Sequence, residues 1–144
     1  MKPLIFGVLS SLLFFSCLAP KETPPNIVFI MSDDHAFQAV SAYGQGLNHT
    51  PNIDRIATEG ALFEKAFVTN SICAPSRAVM LTGKHSFING KVDNIQDFNW
   101  DQDSFAKQLQ KGGYQTALVG KIHLRGLPQG FDYSAVLPGQ GHYY

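Results

Sequence analysis

The sequence predicts an α/β fold with a largely parallel sheet and helices on both faces. Short apolar runs rich in β-branched residues alternate with stretches of helical period. Proline and glycine sit where helices would begin and end, and there is no internal repeat, heptad or low-complexity tract. Strands that alternate with helices are best served by parallel pairing with crossover connections.

Asn26-Ile27-Val28-Phe29-Ile30-Met31-Ser32 is a continuous apolar run bounded by prolines and acids. Its length and β-branched content predict a buried central strand. Thr50-Pro51 supplies an N-cap and a proline at the first helical position; Ile53, Ile56 and Ala57 form one apolar face before Gly60 stops the helix. Ala61 to Thr69 reads as a second extended stretch leading to Cys73, where another helix should begin. Ser86 to Trp100 is polar and rich in asparagine and aspartate, so it reads as surface loop. Asp103 can cap a short helix in which Phe105, Ala106 and Leu109 face inward, ended by Gly112-Gly113, and Tyr114 to Val119 is again strand-like. The expected order is strand, helix, strand, helix, helix, strand.

Residues 1–16 combine Lys2 with an apolar run from Leu4 to Phe15, the shape of a secretory signal and too short to span a bilayer. Cys17 follows directly and resembles a bacterial lipoprotein cleavage site, with Phe14 and Phe15 where smaller residues are commoner. Ordinary secretion is the alternative. Residues 17–25 carry three prolines and read as a tether. The expectation is therefore an exported protein, in the periplasm or at the cell surface, lipid-anchored through Cys17 to the outer membrane and touching a membrane only there. With Cys17 given to the anchor and Cys73 to chemistry, no disulfide is expected. The whole sequence has eleven basic and eleven acidic residues. Loss of residues 1–16 removes Lys2 and leaves one net negative charge. Such a balance gives no support to nucleic-acid binding, so an anionic substrate must be held by a few placed cations.

Three groups of residues carry candidate chemistry. Asp33-Asp34 closes the first expected strand, at the sheet edge where ligands of open α/β folds gather. Neighbours on a strand point to opposite faces, so the two carboxylates share one cation only if the chain leaves the strand there. Adjacent acids repel, which makes a hard cation a natural partner; a solvated turn is the bland alternative. Second, Cys73-Ala74-Pro75-Ser76-Arg77-Ala78-Val79-Met80-Leu81-Thr82-Gly83 places a thiol at a helix start, where N–H groups and the dipole favour anions. A buried structural cysteine beside the cap is the alternative. Third, Gly120-Lys121-Ile122-His123 sets Lys121 and His123 two apart, on one face if the chain is extended. That pairs an ammonium with a proton donor, or is a plain surface feature. Lys84-His85 could line a pocket, His35 could support the metal pair, and Asp93 and Asn94 could touch sugar hydroxyls.

The spacing Cys73-x-Pro75-x-Arg77 followed by Leu81-Thr82-Gly83 resembles the sulfatase signature, and Gly120-Lys121-x-His123 has its counterpart in the same family. The resemblance runs from Asn26 to Tyr144 and implies an alkaline phosphatase-like α/β fold, its largely parallel sheet flanked by helices and incomplete in this chain. It further implies that residues 26–144 are the N-terminal part of a catalytic domain several times longer. A maturation enzyme would oxidise Cys73 to formylglycine. Its hydrate carries two hydroxyls on one carbon, one to attack sulfur and the other to expel sulfate and regenerate the aldehyde. Carried over, the metal ligands are Asp33, Asp34 and the modified Cys73, with the rest on a later strand. Arg77 supports the modified residue, Lys121 and His123 bind the sulfate, and Lys84 joins them as a substrate-binding residue. Ca²⁺ takes six or more oxygens and Mg²⁺ six, so this chain holds part of either shell. The leaving-group acid would lie beyond Tyr144.

Thr50-Pro51-Asn52-Ile53-Asp54-Arg55, Leu81-Thr82-Gly83-Lys84-His85, Gly112-Gly113-Tyr114-Gln115-Thr116-Ala117 and Pro138-Gly139-Gln140-Gly141-His142-Tyr143-Tyr144 resemble bacterial sulfatases that remove 6-O-sulfate from N-acetylglucosamine in mucin and glycosaminoglycan glycans. The expected substrate is thus a sulfated carbohydrate, other sulfated polysaccharides being the nearest competitors. Two further readings stand beside it: a formylglycine-dependent phosphonate or phosphate-ester hydrolase, and a truncated, non-catalytic glycan-binding chain.

Overall fold

A computed structural model describes residues 23–137 and 139–141. The secretory signal, Cys17, most of the tether, Pro138 and the closing His142 to Tyr144 lie outside the described residues. The described residues fall into two compact units, one through Gly60 and the other from Ala61 onward.

In the first unit, two 3₁₀ turns, Phe37–Ala39 and Ser41–Tyr43, precede helix α1, Pro51–Glu59. Thr50 takes the cap position and Pro51 the first helical one, as the sequence predicts. The Thr50 hydroxyl does not cap a backbone amide of its own helix. It donates to Asp54 Oδ1 (2.8 Å) and accepts from the Ser41 amide (2.9 Å). Asp54 also accepts from the Ser41 hydroxyl (2.5 Å) and the Ala42 amide (2.9 Å). One carboxylate so ties the 3₁₀ turn to the helix. The Ser41 hydroxyl bond is foremost in holding that carboxyl below its ordinary pKa.

The strand expected over Asn26 to Ser32 is not formed, and Val28 and Ile30 are 79% and 80% exposed. A central strand is stabilised by ladders on both edges and apolar cover on both faces, and β-branched residues cannot supply either. The same correction applies to Ala61–Thr69, which is irregular and exposed, and to the apolar face of α1, where Ile53 and Ile56 are uncovered.

The second unit contains α2 (Cys73–Thr82), the one-turn α3 (Ser86–Asn89), α4 (Phe105–Lys111), and strands β1 (Ala117–Lys121) and β2 (Tyr133–Leu137). The strands pair in parallel, with Ala117 opposite Tyr133 and Lys121 opposite Leu137. Helix α2 ends on Gly83 at φ 65°, whose amide returns to the Val79 carbonyl, a left-handed cap that glycine adopts at little cost. Ser104, not Asp103, caps α4 by accepting the Lys107 amide, and Asp103 instead accepts from Gln108 Nε2. Ala106 is the residue of α4 that is fully buried; Phe105 is exposed and Leu109 half-buried.

The core joins Ala74, Ala78 and Leu81 of α2 to Phe98, Trp100, Ile122 and Leu124, with Leu118, Phe131 and Val136 packed against it. Phe98 and Trp100 meet edge to face at 4.9 Å, an arrangement worth about 0.5–1.5 kcal/mol beyond the area it buries. This overturns the surface-loop reading of Ser86 to Trp100. That segment is polar in composition, yet it inserts two aromatics and the side chain of Lys91, 1% exposed, whose ammonium donates to the Gln96 carbonyl. Burial holds the Lys91 pKa below its ordinary value.

Strand β1 begins later than expected because Thr116 is taken by a clip at the strand bases. Its amide donates to Asp132 Oδ2 (2.7 Å), its hydroxyl to the Gly130 carbonyl (2.8 Å), and its carbonyl accepts from the Asp132 amide (2.9 Å). A parallel pair usually takes a helical crossover. Here residues 122–132 make the return without one, pinned by Trp100 Nε1 donating to the Arg125 carbonyl (2.8 Å).

Candidate active site

Cys73 is the first residue of α2 and Arg77 lies one turn further, on the same helix face. Across from them, Lys121 ends β1 and His123 follows two residues later. Cys73 Sγ is 3.0 Å from His123 Nδ1, and Arg77 Nη1 donates to the Lys121 carbonyl at 2.5 Å. The two contacts form rungs between helix and strand end: Cys-x-x-x-Arg, about one turn of α2, is met rung for rung by Lys-x-His on the opposing chain.

Arg77 is only 7% exposed, while Ala74 and Ala78 beside it are fully buried and pack on the cluster that contains Ile122 and Leu124. Half-buried Lys121 and His123 alternate with buried Ile122 and Leu124. The alternation expected of Lys121 and His123 is present, but extended chain does not produce it. Gly120 has φ 102° and His123 has φ 51°, so the backbone turns before and after Lys121. A left-handed histidine is held at a cost on the order of 1–3 kcal/mol. Here the buried side chains of Ile122 and Leu124 and the thiol contact fix it.

The helix start is less open to anions than its sequence suggests. Pro75 has no N–H, and the Ala74 amide donates to Asn94 Oδ1 at 3.0 Å. Asn94 is thus engaged with the backbone beside Cys73. Asp93 accepts from the amides of Ile95 (2.7 Å) and Gln96 (3.0 Å), the Gln96 bond foremost in holding its pKa low. Both residues serve the local backbone through one side-chain oxygen each. The role of Asn94 escaped the sequence reading; the available signal was Ile72, an N-cap residue with no side-chain acceptor.

Lys84 is not brought to Cys73. It follows the far end of a ten-residue helix, about 15 Å along the axis at 1.5 Å per residue. His85 beside it stacks on Phe87 with centroids 5.5 Å apart.

In the first unit Asp33 and Asp34 are both exposed, and Asp34 has φ 50°. The chain therefore departs from extended geometry at the second acid, the condition for adjacent carboxylates to share one side. Two hard oxygen donors suit a divalent cation such as Ca²⁺ or Mg²⁺ and supply part of its shell. Among the described residues no group of three or more His, Cys, Asp or Glu is placed to complete it. His35 is exposed beside the pair. Asp34 and His123 are the non-glycine residues with positive φ among those described, so backbone strain falls on two positions singled out for their chemistry.

A parallel α/β scaffold that sets a cysteine at a helix start against a histidine beyond a strand end belongs with the sulfatases. The sulfatase family model matches residues 25–142, and this chain belongs to that family. It is 50% identical to N-acetylglucosamine-6-O-sulfatase of Bacteroides thetaiotaomicron over 94% of its length and 25% of that protein's. It is 39% identical to the ulvan-active sulfatase of Formosa agariphila over 70% of this chain and 20% of that one. Among solved structures, it superposes with TM-score 0.80 and 53% identity on a protein in complex with its substrate D-glucosamine-2-N,6-O-disulfate, covering 82% of this chain and 24% of that one. The phosphonate monoester hydrolase of Agrobacterium radiobacter follows at TM-score 0.62 and 27% identity, covering 70% and 23%. These neighbours carry the expected alkaline phosphatase-like α/β fold, of which this chain forms a part. The chain spans about a quarter of the length of the relatives it matches.

Proposed function

We propose that this chain contributes the nucleophile and half of the metal ligands to a sulfuric ester hydrolase that desulfates glycans, with the 6-O-sulfate of N-acetylglucosamine as its target. The observation that carries the reading is the pair of rungs, Cys73 to His123 and Arg77 to the Lys121 carbonyl, in a chain of the sulfatase family. The substrate assignment is supported by the 50% identity to the Bacteroides enzyme and by the glucosamine disulfate bound to the structural neighbour.

Sulfatases use formylglycine and a divalent metal. Converted to formylglycine by a maturation enzyme, position 73 would supply an aldehyde whose hydrate offers one hydroxyl for attack and a second for product release. A divalent cation, Ca²⁺ or alternatively Mg²⁺, for which Asp33 and Asp34 offer carboxylate ligands, would acidify the attacking hydroxyl and polarise the sulfate. The chain's own residues do the rest. His123 Nδ1, at 3.0 Å from Sγ, is within reach to take or return a proton at position 73. The Lys121 ammonium neutralises oxygen charge on the transferring group, more effectively where water is excluded. Arg77 holds the Lys121 backbone, so that ammonium and imidazole keep a fixed register against the helix.

The apolar run from Leu4 to Phe15 and the cysteine at position 17 support export and lipid anchoring outside the cytoplasm. Among the described residues no helix is long and apolar enough to cross a membrane. The second reading, a phosphonate monoester hydrolase, is favoured by the Agrobacterium neighbour alone.

Mass spectrometry of the peptide containing residue 73, from full-length protein made in its own host, tests the nucleophile. Thiol-to-aldehyde conversion lowers its mass by about 18 Da. The same preparation should hydrolyse N-acetylglucosamine 6-sulfate faster than an aryl phosphonate ester, and the reverse preference would transfer the assignment to the second reading.

A further inference from the structure

The helix that presents Cys73 lacks a cap of its own. Ile72 occupies the N-cap position and offers no side-chain acceptor. The first intrahelical bond runs from the Ser76 amide to the Ile72 carbonyl at 2.9 Å. Of the amides before it, Pro75 has no N–H, and that of Ala74 lies in a residue with no exposed surface. Left unpaired, that buried amide would be costly, and it sits on the peptide that joins Cys73 to the helix. Asn94, twenty residues further on, meets it with Oδ1 at 3.0 Å.

The loop that delivers Asn94 is fixed on both sides. Before it, the Lys91 amide donates to Asn89 Oδ1 (2.8 Å) and the buried Lys91 ammonium reaches the Gln96 carbonyl. Immediately beside it, Asp93 closes a turn by accepting two amides. From another direction, Asn70 Nδ2 donates to the Val92 carbonyl at 3.3 Å. Asn94 thus sits in a short turn with anchors before and after it, which hold its backbone beside the start of the helix.

From this we infer that Asn94 is a positioning residue for the nucleophile: it caps the signature helix from outside, fixes the Cys73–Ala74 peptide plane, and so aims the side chain at position 73 toward His123. His123 holds that side chain from its reactive end and Asn94 holds its backbone from behind. Small displacements of a nucleophile are expensive, since about 1 Å of misplacement can cost a hundredfold in rate. The inference rests on the proposed role of position 73 in turnover, but its geometric content does not.

The experiment separates the two. In full-length protein made without the maturation enzyme, residue 73 stays a thiol, and its alkylation by iodoacetamide reports on the Cys73–His123 pairing, because an imidazole 3.0 Å away is placed to take the proton as the sulfur attacks. Asn94→Ala should slow alkylation threefold or more at neutral pH, and Asn94→Asp, which keeps the acceptor oxygen, should restore the rate. A smaller change in Asn94→Ala overturns the inference, as does a rise, which would mean that the variant merely loosens the fold and exposes the thiol. In matured protein, Asn94→Ala should lower kcat tenfold to a hundredfold per mole of aldehyde while KM stays within threefold. Wild-type kcat at equal aldehyde content refutes the inference. Absence of turnover in the parent would sink the sulfatase reading, leaving the alkylation result to decide this one.

Discussion

Replacing Arg77 by methionine keeps the apolar stem in its buried slot and removes only the guanidinium that grips the Lys121 carbonyl. That bond is 2.5 Å long, its donor is charged and its residue is 7% exposed. Hydrogen bonds to charged groups contribute about 1.5–3 kcal/mol, and the carbonyl left behind has no substitute from a thioether. The strand end should therefore open more readily, by roughly 10- to 150-fold at 1.4 kcal/mol per decade. Hydrogen exchange followed by mass spectrometry reads this directly: in full-length protein, peptides covering 117–124 should exchange faster by that factor while peptides from α4 stay unchanged. Arg77→Lys, with a cation but no planar fork, should fall between. If Arg77→Met changes exchange over 117–124 by less than threefold, the guanidinium is not what holds the strand end, and the matched-rung account of the site is wrong.

Three further outcomes are expected. Cys73→Ala in the complete protein should abolish nearly all sulfate ester turnover with little change in thermal midpoint; substantial residual turnover would remove the formylglycine assignment. The Asp132 carboxyl, held below its ordinary value of 3.8 chiefly by the Thr116 amide and then by the Gln110 side chain, stabilises the clip above that value, and the contribution is lost as pH falls through the lower folded value. Exchange protection of β1 should accordingly weaken on acidification below about pH 4, and Asp132→Asn should show a flatter acid limb; equal acid sensitivity in both proteins would refute this. Asp34→Asn should weaken Ca²⁺ or Mg²⁺ binding to the full-length protein at least tenfold by calorimetry, since it removes one of few hard anionic donors, and unchanged affinity would place the metal elsewhere.

How far the sequence could be read depended on where each element finds its partners. Helix α1 was legible because Thr50-Pro51 and Gly60 mark its ends locally, whereas residues 73, 77, 121 and 123 could be grouped beforehand only through the family resemblance, because fifty residues separate Cys73 from His123. The runs over 26–32 and 61–69 were misread because β-branched content states a preference that only neighbouring strands can satisfy. Strand β2 was missed for the same reason: residues 133–137 are few and become a strand through their register with β1. The segment 86–100 hid Phe98, Trp100 and Lys91 among asparagines and aspartates, and composition averages over residues that point opposite ways. Asn94 was invisible because its partner lies twenty residues back, and a missing cap announces itself only as an unremarkable isoleucine.

The left-handed backbone at Asp34 and His123 has a consequence for anyone trying to make this protein sturdier. Glycine adopts that conformation without a Cβ penalty, so a library scored on yield or heat resistance would tend to enrich glycine at these two positions. Each such replacement would delete a carboxylate or an imidazole from the proposed chemistry. Selection for robustness alone would thus erode the site from its backbone outward, and any campaign to improve this chain must hold those two positions fixed and seek its gains elsewhere.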